Sequence, residues 1–101
     1  MAAQQQGVIG AKDLANLKEQ LERMPRDKDR LRLITAAAEG HSFTCAQVAE
    51  LVEVQHFGEA KTMTGVLCHP KLVDPDNFES VVVAAYPYDE DKTEVRSALG
   101  L

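Results

Sequence analysis

Pro25, Pro70, Pro75 and Pro87, and the apolar pattern between them, constrain this chain more than any other feature. Each proline disfavours helical geometry in the residue before it. Between them apolar residues recur at helical spacing, and no stretch sustains the alternation of a strand. Leu14, Leu17, Leu21 and Met24 make a first stripe, in a helix of about 11–24 that Pro25 stops. Asp27 is placed to cap a second helix of about 28–39, with Leu31, Ile34 and Ala38 inward. Gly40 suits a left-handed terminus. The alanine run 36–38 favours helix and lets a neighbour approach closely.

The third start is written in "SFTCAQV". Thr44 and Gln47 form a capping box, with Phe43 as its apolar staple. Val48, Leu51 and Val52 face inward, and the helix runs to about Gln55. Glu59 opens a fourth helix, about 59–68, with Met63, Val66 and Leu67 inward and His69-Pro70 at its end. In "LVDPDNFESVVVAAYP", Asp74 caps, Pro75 takes the first helical position and Asn77 stands where Gln47 stood. Phe78, Val81, Val82 and Ala85 keep the helical stripe, which outweighs the strand tendency of three consecutive valines. Pro87 marks the exit. Asp89 caps a last helix bearing Val95, Ala98 and Leu99, closed by Gly100.

Arg26–Arg30, Phe57–Lys61 and Tyr88–Lys92 fall in one frame, 31 residues apart. The two capping units, at Thr44 and Asp74, lie 30 apart. The expectation is an all-α fold of about six short helices, a helical-hairpin repeat of roughly 31 residues packed as a compact bundle or short superhelix. A chain of 101 residues makes one domain: a flexible N-terminal segment over residues 1–10 and a helical domain over 11–101.

No apolar run approaches the roughly 20 residues that span a bilayer, and the N-terminus lacks the pattern of a signal peptide. These point away from a membrane and toward a cytoplasmic protein. Residues 1–50 carry seven basic and seven acidic groups, and residues 51–101 four basic and nine acidic, giving the net charge of −5. An acidic second half disfavours nucleic acid, whose phosphates require a basic face. Basic residues of the first two helices are interleaved with acids, as on a solvated face. Cys45 and Cys68 are expected as free, buried thiols.

Candidate chemistry is thin. Asp89, Asp91 and Thr93 have calcium-loop spacing, but Glu94 stands where the loop needs glycine and Gly100 where it needs glutamate. Acidic residues there suit a helix start, where they complement the dipole. Cys45, Cys68, His41, His56 and His69 are metal-ligand types without the close cysteine pair of a structural zinc site. Cys45 near a helix N-terminus has one ingredient of a nucleophile, a lowered pKa, but no motif supplies a base or an oxyanion hole. No catalytic residue, cofactor or metal is therefore assigned. Arg30, Lys61 and Lys92 recur at one position. They form either a row of cations for an acidic partner or side chains whose stems cover the preceding aromatic.

The order Phe43-Thr44-x-x-Gln47-Val48, Phe57-x-x-x-Lys61, Val73-Asp74-x-x-Asn77, Tyr88-x-x-x-Lys92 resembles a small domain-of-unknown-function family (four-four-seven-six) over roughly residues 14–98. The resemblance implies an all-helical module and brings no catalytic residues. The functional expectation is a non-enzymatic protein-interaction or scaffolding module with a protein partner. A small ligand- or metal-binding domain and a death-domain-like assembly domain of Greek-key order are the alternatives.

Overall fold

The computed structural model of the chain describes residues 7–101. Five α-helices and one mixed helix account for its regular structure: α1 Ala11–Glu22, α2 Asp27–Gly40, α3 Cys45–Val54, α4 Gly58–Cys68 and α5 Asp89–Leu99. Between α4 and α5, the mixed helix joins a 3-10 turn Pro75–Asn77, a π-turn Phe78–Val82 and a second 3-10 turn Val83–Ala85. A short 3-10 turn, His69–Lys71, follows α4.

Most helix faces follow the stripes. Leu14, Leu17 and Leu21 are buried on α1, Ile34 and Ala38 on α2, and Val48, Leu51 and Val52 on α3. Two faces are rotated from expectation, and of the stripe expected on α5 only Val95 is buried, with Ala98 exposed. On α4 the buried residues are Thr64, Gly65 and Cys68, while Met63 is half exposed and Val66 and Leu67 are half-buried. The reason is Tyr86. Its ring packs against Gly65, its hydroxyl donates to Lys61 O, and a Cβ at Gly65 would overlap that hydroxyl and press Val95 at 3.1 Å. A small residue must face inward there, and that turns the larger ones out. In the mixed helix, the change of pitch through the π-turn brings Phe78, Val82 and Val83 inward, whereas Val81 is only half-buried.

The helices form two layers. α1, α3 and the mixed helix are neighbours in that order in one layer, and α2, α4 and α5 in the other, with α3 against α4 between them. Extents of 40 × 31 × 18 Å fit a plate two helices thick. Spatial order within each layer follows chain order, unlike the crossing order of a Greek key. Arg26, Phe57 and Tyr88 are each the N-cap of a helix in the second layer, with nearly the same extended backbone, and each carbonyl accepts from the residue four later. The 31-residue frame therefore coincides with three helix starts. It is not established as a repeat of whole units, since the mixed helix does not copy α3.

Gly7–Gly10 are not a loose leader. Ile9 is buried, Ile9 N donates to Ser42 O, Ser42 N donates to Gly7 O, and Gln47 Nε2 donates to Ile9 O. The rest of the segment expected to be flexible, residues 1–6, lies outside the described residues. Phe43 pairs in turn with 71–73 through Phe43 N to Lys71 O and Val73 N to Phe43 O. Three extended links are thus laced side by side at one end of the plate. That pairing also explains Gly40, the last residue of α2, which does not take the left-handed conformation expected of it: α2 runs directly into extended His41. Gly100, at φ 72°, is the glycine that closes a helix in that conformation.

Candidate functional site

The polar residues singled out by their spacing hold helix starts together. Thr44 and Gln47 form the expected box: Gln47 N donates to Thr44 Oγ1, and Thr44 N donates to Gln47 Oε1. Asp74 stands at an N-cap position but its side chain does not cap its own helix. Its Oδ1 instead accepts from Cys45 N at 2.8 Å, the first amide of α3, 29 residues away. Asn77 does not complete a second capping box; its Nδ2 donates to Asp74 Oδ2 and steadies that carboxylate. Asp27 behaves the same way. It is the first residue of α2 and not its cap, and its carboxylate accepts from His56 N at 3.0 Å and Phe57 N at 2.9 Å, where α4 begins. Asp89 is likewise the first residue of α5, with Tyr88 the cap and Asp91 two residues further on. The Asp91 carboxylate lies where a Cβ on Gly58 would come within 2.5 Å of it.

Electrostatics agree with this use. Burial raises the pKa of Asp27, but the amides of His56 and Phe57 and the Arg30 guanidinium more than offset it, leaving Asp27 below the usual carboxylate range. Asp74 is also lowered, first by the Cys45 amide and then by Asn77. The Cys45 thiol is not lowered by its helix start. Burial and Asp74 push it up to about 11, and burial pushes Cys68 up to about 12. Both are thiols at neutral pH, which corrects the nucleophile ingredient read from position alone. No group of three or more metal-ligating side chains forms among the described residues. His69 packs edge-on against Phe78. Asp89, Asp91 and Thr93 lie within a helix and not a loop.

The three cations do not form a surface row. Arg30 is 3% exposed, and its guanidinium donates to Leu21 O and Asp27 Oδ1 and lies 3.3 Å from His56 Nδ1. Lys61 is half-buried and donates to Val52 O in the last turn of α3. Lys92 is half-buried in the first turn of α5. Arg30 and Lys61 therefore tie elements together, while Phe57 and Tyr88, the aromatics that precede Lys61 and Lys92, stay 73% and 67% exposed.

What remains open is an apolar face on the second layer. A depression of about 380 Å³ lies between the starts of α2 and α4, lined by Lys28, Leu31, Phe57, Ala60 and Met63 among others. A second, of about 430 Å³, continues from it along Thr35, Val66 and Leu67 to Ala98 of α5, again bordered by Leu31 and Met63. Because the first holds the early residues of α2 and α4 and the second their later ones, these helices run in the same direction. Phe57 is 73% and Met63 49% exposed along this face. The apolar stripe of α4 did signal these residues, but read as core. Only the Gly65–Tyr86 contact, invisible in periodicity, shows that the stripe faces out.

No helix among the described residues is long and apolar enough to cross a membrane. We found no match among curated proteins and none among solved structures. One family does match, described as a domain of unknown function (DUF4476), over residues 8–99. That span takes in every helix, both layers and the apolar face, and the chain belongs to the DUF4476 family.

Proposed function

We propose that this chain is a non-enzymatic interaction module whose α2–α4–α5 face docks a protein partner. The observation that carries the reading is Met63 on that face: a long, flexible apolar side chain, half exposed, between two continuous depressions. Connected apolar surface of this kind is a liability in solution and a common feature of interaction sites, and methionine adapts to varied partners. The use of the conspicuous polar residues as ties between helices is consistent with a scaffold role. The excess of acid in residues 51–101 favours a protein over a nucleic acid, and free thiols suit a reducing compartment such as the cytoplasm.

A photo-crosslinking amino acid placed at position 63 and activated in the native host tests the reading. Crosslinks to protein from position 63, and none from exposed position 12 on α1, are expected. Absence of crosslinks at 63, or equal yields at both positions, overturns it.

A further inference from the structure

The apolar face carries a gradient of charge from one edge to the other. On α2, Lys28 and Arg32 are exposed and four residues apart, on the same stripe as Leu31 and Thr35. On α5, Glu90 and Glu94 are exposed and precede Ala98 at successive four-residue steps, so they share its side of the helix. The centre is α4, with Met63, Val66 and Leu67. Other charges do not cancel this polarity. Asp27 is held by Arg30 and two amides, Glu39 at the far end of α2 is already partnered, and Glu59, which lines the same depression as Lys28, offsets only part of the two positive charges of Lys28 and Arg32. Arg96 is paired with Glu79 on the mixed helix.

Such a surface is complementary to itself. A two-fold axis lying in the face and parallel to α4 exchanges left and right while keeping helix direction. It sets the basic α2 edge of one copy opposite the acidic α5 edge of the other, twice. Met63 and Val66, near the axis, meet their own counterparts over the paired depressions. This is an isologous contact and closes at two copies. Three helices of 11–14 residues at about 9 Å spacing present a plane of roughly 500 Å², and their corrugated accessible surface approaches the roughly 800 Å² per partner of an ordinary interface. The association is therefore modest and dilutable.

We infer that the partner of the α2–α4–α5 face is a second copy of this chain, paired with helices parallel and the α2 edge of each copy on the α5 edge of the other. The inference rests on the module reading above and names its occupant. Sedimentation of the full chain over a range of concentrations tests it. A monomer–dimer equilibrium weakened by added salt is expected, and Met63→Glu should leave only monomer. K28E/R32E and E90K/E94K should each be monomeric alone, because each makes both edges of its face the same sign. Mixed together, they should form a one-to-one dimer, in which every edge again meets its opposite. A dimer indifferent to Met63→Glu and to both reversals overturns the inference, as does failure of the two reversed chains to combine. A wild-type chain monomeric up to about 1 mM also overturns it. If position 63 still crosslinks to other proteins in that case, the module reading survives the loss of the dimer.

Discussion

Asp27 ties two helix starts together. Its carboxylate joins the start of α2 to the start of α4 and neutralises Arg30, which is buried. Asp27→Ala leaves that guanidinium without its charge partner and two amides without an acceptor. Breaking a pair of this kind costs about 3–5 kcal/mol, read as a loss in denaturant midpoint at unchanged slope. The pH dependence follows from the lowered pKa. The folded carboxylate stays ionised below the unfolded value of about 3.9, so its stabilisation is complete above that value and disappears as pH falls through the folded pKa. Asp27→Asn should flatten the acid limb of the stability profile, as urea titrations from pH 6 to pH 2 would show. An acid limb identical to the wild type would contradict the assignment. For Cys45 and Cys68, protonated and buried, a neutral thiol reagent at pH 8 should react with neither until denaturant is added.

Among the elements, helix ends were the most legible part of the sequence, and the orientation of α4 was the least. Prolines and the Thr44–Gln47 box placed the starts and stops within a residue or two, because caps and prolines act locally. Asp27 and Asp74 have the residue type of a helix start, but which start they serve depends on contacts some 30 residues away. The stripe of α4 was misread for a similar reason: hydropathy favours Met63, Val66 and Leu67 over Thr64 and Gly65, and only Tyr86 decides otherwise. Three predictions belong here. Thr44→Ala should cost about 1 kcal/mol. Asp74→Ala should speed hydrogen exchange at the Cys45 amide of α3 while leaving the Phe78–Val82 turn protected. Faster exchange confined to the mixed helix would return Asp74 to the local cap first read from the sequence. Gly65→Ala forces a methyl against Tyr86 and Val95, and overpacking of this kind costs about 1–3 kcal/mol.

Across the whole molecule, the division of labour runs between ties and face. The first layer and the laced links at 7–10, 42–43 and 71–73 hold the plate, and α2, α4 and α5 leave its other side apolar at the centre and oppositely charged at its edges. All-α character and the family likeness could be read from residue patterns, since these follow from local spacing. The face could not, because it arises where three helices far apart in sequence lie side by side. One paired measurement bears on this division most directly: melting temperature and sedimentation of Asp27→Ala and Met63→Glu, prepared alike. Asp27→Ala should melt more than 10 °C below the wild type, at about 4–8 °C per kcal/mol for a domain of this size. Met63→Glu, a surface change, should melt within a few degrees of wild type yet sediment as monomer under conditions where the wild type associates. A stable Asp27→Ala, or a Met63→Glu chain that unfolds or still associates, would contradict it.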